Sequence, residues 1–152
     1  VSTRDAYLAG LNMLARRELS EAQVRQRLAR RQHDPESIDT AIERLKAERA
    51  IDDQRVAGAI ARTQTAVRGR GRLRVKRQIE AAGISSAVAE RAVDEVFQDV
   101  DPDALLHAAL DRRLRGRTEL TDRDRARLYR YLLGQGFDSD RVLAVLRGVG
   151  RT

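Results

Sequence analysis

The strongest constraint on this chain is a set of apolar offsets that recurs three times. Val24, Leu28, Ile38, Ile42 and Leu45 stand at offsets 0, 4, 14, 18 and 21. Counted from Val75, the same offsets fall on Ile79, Ala89, Val93 and Val96; counted from Leu128, they fall on Leu132, Val142, Leu146 and Val149. Every position is apolar, with Ala89 the weakest match. Residues four apart share one face of a helix, so each set describes a pair of helices. The steps of 51 and then 53 residues define a repeat. Turn signals recur with it. Gly83-Ile84-Ser85 and Gly136-Phe137-Asp138 each place glycine at one helix end and a capping residue at the next start.

A leading helix precedes each pair. In the first unit Ala6, Leu8, Leu11 and Leu14, with Ala15 beside them, recur at helical spacing and stop near Arg17. Ser20 and Gln23 then form a capping box, with Val24 and Leu28 inward. Asp34 and Pro35 open a third helix, the aspartate as cap and the proline in the first turn, where its missing N–H costs nothing. The second leading helix begins at Asp52 or Asp53, with Val56 and Ile60 inward. The third begins at Asp101 and Pro102, with Leu105, Leu106, Ala109, Leu110 and Leu114 inward. The expected class is all-α: a tandem array of three three-helix repeats over 1–50, 51–100 and 101–152, elongated or curved. Neighbouring units are expected to share an interface, because each buries little apolar surface alone. A single globular bundle with accidental periodicity is the competing architecture.

Composition agrees with helices. Aromatic residues are only 3%, and strong helix formers dominate; a sheet protein would need more β-branched and aromatic residues. Cysteine is absent, which excludes disulfides and thiolate metal sites and suits a reducing cytoplasm, the expected location. No apolar run approaches the roughly 20 residues that span a bilayer, so no membrane association is expected. A secretory signal pattern is lacking. Because the sequence begins at Val1, the natural N-terminus is open to lying upstream.

Charge is the second organising feature. The chain carries 30 basic and 23 acidic residues, a net of +7. Residues 54–79 contain no carboxylate but hold Arg55, Arg62, Arg68, Arg70, Arg72, Arg74, Lys76 and Arg77. Without those eight, 22 basic residues face 23 acidic ones, so the net positive charge is local. Arg113, Arg115 and Arg117, with Arg112, occupy the equivalent place in the third unit, and Arg16 and Arg17 that in the first. Regular stacking would join these junctions into one basic ridge. Such a ridge steers an anionic partner to one face; a merely solvated charge run is the bland alternative. Most of Arg68, Arg70, Arg72, Arg74 and Arg77 are expected to face solvent or a partner, since burying an unpaired guanidinium is prohibitive. The RGRGR at 68–72 lacks the GK[ST] ending of a nucleotide loop and follows no strand, so its glycines are expected to break the chain between helices.

Little suggests catalysis. His33 and His107 lie in different units without the further ligands a zinc site needs, one expected in a turn and the other on a helix flank. The pairs Asp52/Asp53, Asp122/Asp124 and Asp138/Asp140 sit at expected helix starts, where negative charge meets the macrodipole and caps amides. Tyr7, Tyr129 and Tyr131 are too dispersed for a base-stacking platform. The expectation is a monomeric, non-enzymatic protein without metal or cofactor.

The chain resembles the RecX family of bacterial recombination regulators. The resemblance rests on LNMLARRELSEAQVRQRL at 11–28, RLKAERAIDDQRVA at 44–57 and RGRGRLRVKRQIEAAGI at 68–84, about half the chain. The third unit matches by repeat pattern more than by motif. Two departures stand out. Val56 replaces the usual phenylalanine, implying a smaller core contact. Gln32 and His33 replace the usual glycine-containing turn, implying a different turn. The resemblance implies a helical-repeat protein that lies in the groove of the RecA–single-stranded DNA filament and inhibits strand exchange, the coupled ATPase and co-protease activity. The alternative is a helix-turn-helix-like module acting on single- or double-stranded DNA directly, which would need base-reading side chains in a groove.

Overall fold

The structure, a computed structural model, describes residues 2–150; positions 1 and 152, the outer limits of the expected units, lie outside the described residues. Nine α-helices and no strand are found among them: α1 Thr3–Arg16, α2 Glu21–Arg30, α3 Pro35–Ala47, α4 Asp53–Arg62, α5 Arg72–Ala81, α6 Ser86–Phe97, α7 Pro102–Leu114, α8 Asp122–Gly134 and α9 Ser139–Gly148. A π-helical turn, Thr63–Val67, continues α4.

The helix starts follow the local chemistry. Ser2, Ser20 and Thr121 close capping boxes with the residue three places on, while Asp34, Asp52, Ser85, Asp101 and Asp138 cap with their own oxygens. Helix α5 differs, because its cap is Gly71, which has no side chain to offer.

Three separate apolar clusters hold the helices. Leu19, Val24, Leu28, Ile42 and Leu45 lead the first, formed by α1–α3. Val56, Ala57, Ala61, Val75, Ile79 and Val93 belong to the second, formed by α4–α6. Leu106, Leu110, Leu132, Phe137, Val142 and Leu146 belong to the third, formed by α7–α9. The recurrent offset positions are buried throughout, except Val96 and Val149, the last of the second and third sets, which are half-buried. Substantial helix-to-helix packing runs only within each group of three. The total exposed surface is 9690 Å², against about 7,800 Å² that area–mass scaling gives a compact monomer of this mass. That excess marks an extended arrangement.

The contacts that join neighbouring groups are few, and hydrogen bonds are prominent among them. Each joint sets the start of the second helix of one group against the turn between the second and third helices of the next. At the first joint the Ser20 hydroxyl donates to the Ala82 carbonyl, and the Glu21 amide donates to Asp53 Oδ1 at 2.9 Å. At the second, the Gly71 amide donates to the Gln135 carbonyl at 2.8 Å and the Leu73 amide to the Gly136 carbonyl at 3.1 Å. Ser20 and Gly71 lie 51 residues apart, Ala82 and Gln135 lie 53 apart, so one joint is used twice at the repeat spacing.

Three expectations are corrected. Helix α1 buries Ala6, Gly10 and Met13 rather than its leucines: Leu8 is exposed, and Leu11 and Leu14 are half-buried. A Cβ at Gly10 would come 2.8 Å from Leu45 Cδ1, so the small face is what lets α3 approach. Helix α4 likewise buries Ala57 and Ala61 more fully than Ile60, which stays half-buried. The turn at Gln32 is no different in kind, because Gln32 adopts φ 65°, the left-handed conformation that Gly83 (81°) and Gly136 (99°) adopt at its counterparts. Its cost is the Cβ strain that glycine avoids.

Two outcomes follow from this packing. Leu28→Ala or Leu132→Ala should each lower stability by about 2–5 kcal/mol in urea denaturation, the range for well-packed leucines; a loss under about half a kilocalorie would show that the helices do not close on these positions. Gly136→Ala attacks the second joint instead. A Cβ there would lie 2.4 Å from the Arg74 amide nitrogen at a positive φ, so the variant should cost about 1–3 kcal/mol. An unchanged urea midpoint would refute the close approach.

Candidate partner-binding surface

The basic run is delivered by the end of α4, the π-helical turn and α5. An inserted residue in the hydrogen-bond ladder shifts the side chains that follow it, and here the chain leaves the π-helical turn into Arg68 and Gly69, the latter at φ 63°. The Arg70 amide turns back to the Gln64 carbonyl at 2.9 Å. Gly71 then starts α5 against the neighbouring group.

The structure divides the eight cations into two kinds. Arg55 is tied down: its guanidinium donates through Nε and Nη2 to both oxygens of Glu18, each at 2.9 Å, and through Nη1 to the Arg49 carbonyl at 3.0 Å. Arg72 donates to Glu90 at 2.6 Å and also to Asp94, while Lys76 meets Glu90 at 2.9 Å. These pairs clamp α5 to α6. Arg70 donates to the Gln135 side chain and Arg74 to the Gly134 carbonyl at 3.1 Å, so both reach across the second joint. None of Arg68, Arg70, Arg72, Arg74 and Arg77 is fully buried, but they differ in what they meet. Arg72 serves its own group, and Arg70 and Arg74 are half-buried at the joint. Arg62, Arg68 and Arg77 are exposed, and none pairs with a carboxylate among the described residues.

The third-group cluster divides in the same way. Arg117 pairs with Asp124 at 2.8 Å. Arg113 lies over the Tyr131 ring, 4.3 Å from its centroid, a favourable cation–π distance. Arg115 ends α7 at φ 51° and is exposed. Arg112 lies against Gly69, where a Cβ would come 2.6 Å from its Nη2; the glycine is what admits it. Sequence reasoning missed the acidic partners Glu90 and Asp94. They stand one turn apart on α6, and that spacing against a basic helix was the available signal.

Four of the paired carboxylates have structural partners: Asp52, Asp124 and Asp138 accept from helix-start amides, and Asp53 joins the first two groups. Among the described residues no group of His, Cys, Asp and Glu is placed to hold a metal ion, and no helix is long and apolar enough to cross a membrane. His107 Nδ1 sits 2.7 Å from the Asp103 carbonyl on an exposed flank. His33 leaves Nδ1 buried without a partner in the first turn.

Hydrogen bonds and ion pairs lower the pKa of several carboxyls. Lys76, then Arg72, holds the Glu90 carboxyl below its ordinary range, and Ser2, Ser37 and Thr121 do the same for Asp5, Asp34 and Asp124 through their amides. A depressed carboxyl contributes stability above its unfolded pKa and loses it as pH falls through the folded one. The melting temperature should thus be flat from neutrality to about pH 5 and fall below about pH 4, the ordinary carboxylate range. Arg72→Glu should lower the neutral-pH melting temperature, since it sets a third carboxylate beside Glu90 and Asp94. A thermal melt unaffected by that reversal would contradict the clamp.

Comparison with known proteins places this arrangement among relatives. The family described as RecX, first three-helix domain, matches residues 6–45. The regulatory protein RecX of Halorhodospira halophila is 33% identical over 138 residues, covering 90% of this chain and 83% of that protein. The regulatory protein RecX of Acidithiobacillus ferrooxidans is 34% identical over 149 residues, covering 97% and 91%. The crystal structure of RecX from Lactobacillus salivarius superposes with a TM-score of 0.79 at 21% identity, covering 95% of this chain and 94% of that one.

Proposed function

The chain belongs to the RecX family of regulatory proteins, and from that premise we propose that it regulates the RecA recombinase by binding along the RecA–single-stranded DNA filament. It acts in the cytoplasm as a monomer, lies in the filament groove and inhibits the ATPase, strand exchange and co-protease activity. The observation that carries this is the division of the cations. Arg62, Arg68, Arg77 and Arg115 are exposed on an extended array and pair with no carboxylate among the described residues. Units over 1–50, 51–100 and 101–152 would set these cations along an extended array for a repetitive anionic partner. Complementary charge there raises the encounter rate and fixes register.

The internally paired cations make poor probes, because changing them also changes the fold. Arg62→Glu, Arg68→Glu and Arg77→Glu together should leave stability within the roughly 0.5 kcal/mol per site typical of exposed positions. Inhibition of the filament's ATPase by the triple variant should weaken at least about tenfold. Full inhibition by a normally folded triple variant would sink the proposal. If wild-type protein binds bare DNA as tightly as the filament over a salt series, a module acting on DNA directly would replace it.

A further inference from the structure

We propose that the joint between the second and third groups is a binding site for a single phosphate group, held by Arg70 and Arg74 from one side and Arg112 from the other, with Arg68 at its rim. It goes beyond the filament reading and does not depend on it. Three guanidiniums reach this joint: Arg70 donates to Gln135, Arg74 to the Gly134 carbonyl, and Arg112 lies over Gly69, next in the chain to both Arg68 and Arg70. Arg113 stacks on Tyr131, one turn before Gln135 on the same face of α8.

None of these five guanidiniums pairs with a carboxylate among the described residues. Glu90 and Asp94 are held by Arg72 and Lys76, and Asp111, beside Arg112, makes no ion pair among the described residues. Arg55, Arg72 and Lys76 along this run have carboxylate partners, whereas at this joint Arg70 and Arg74 meet neutral acceptors instead. Burial lowers the pKa of Arg70, and the neighbouring Arg74 and Arg68 lower it further.

The second, independent observation is at Arg70 itself. Its Nε is buried and has no hydrogen-bond acceptor, and an orphaned donor on a charged group costs more than a neutral one. A phosphate accepts from several guanidiniums at once and satisfies a fork-shaped donor set better than a carboxylate does. Gly69 is needed for the geometry, because any Cβ there would displace the Arg112 guanidinium.

The phosphate can come from free orthophosphate or from a nucleic-acid backbone, and two titrations separate them. The whole chain, without recombinase, is titrated with inorganic phosphate at constant ionic strength, and separately with oligo-dT, while the arginine Nε–H resonances are followed by NMR. The expected result is a saturable shift at Arg70 and Arg112 with no comparable shift at Arg147. Arg112→Gln, at an exposed position, should weaken that binding about tenfold without changing the melt. A response to oligo-dT at lower concentration assigns the site to a backbone phosphodiester; a response to orthophosphate alone assigns it to the free ion. If Arg70 stays still in both titrations, or all exposed arginines drift together without saturation, the site does not exist. Since no filament is present, that failure would leave the proposed function standing.

Discussion

Helix α5 cannot begin on its own terms. Its cap residue is glycine, and its first amides would be left without acceptors. The Gln135 and Gly136 carbonyls of the α8–α9 turn supply them. One helix start is therefore completed by the turn of the next group, and those carbonyls, which a helix end leaves open, are satisfied in the same act. The two needs match because both chain segments lack side chains at the contact: a Cβ on Gly71 would lie 2.5 Å from the Gly136 carbonyl carbon. The first joint solves the same problem with Ser20, whose hydroxyl reaches Ala82 while Gly83 makes room for Ala22. Around this reciprocal capping, the Arg55–Glu18 pair at the first joint and the Arg70 and Arg74 hydrogen bonds at the second add side-chain contacts between groups.

That constraint explains why the cores remain separate. Each group closes its own small apolar cluster, and alanine or glycine does much of the close packing. Small residues at Ala57, Ala61, Ala89 and Gly10 bring helix axes together in a thin core that large side chains would hold apart. Charge takes up part of the task that apolar area performs in larger domains. The Arg72–Glu90–Lys76 cluster, with Asp94, spans the α5–α6 face, and Arg55 gathers Glu18 and the Arg49 carbonyl around the first joint. Exposed pairs of this sort are individually weak, so they orient helices whose association the cores provide.

Much of the fold was legible in the sequence, and the reasons are local. Capping boxes, proline at the first turn and four-residue apolar spacing each have one dominant structural meaning, and they placed the helices. Burial on α1 was misread because leucine was given more weight than glycine. Which stripe faces inward depended on how near α3 could come, and that is tertiary information. Gln32 was misread for a related reason, since surrounding structure holds a non-glycine residue in a conformation it disfavours. The basic segment was legible as charge but not as function. Whether an arginine is free depends on an acid on another helix, as at Arg72, or on a carbonyl in another group, as at Arg74.

The joints also decide how the molecule yields under load. Each is a handful of hydrogen bonds, whereas each group is closed by a whole core, so deformation concentrates where the fewest contacts resist it. Mechanically the protein is three stiff links and two compliant hinges. A rod of uniform stiffness could follow a curved or twisting surface only by straining along its whole length. Three links can conform to such a surface by changing two angles, and no core has to open.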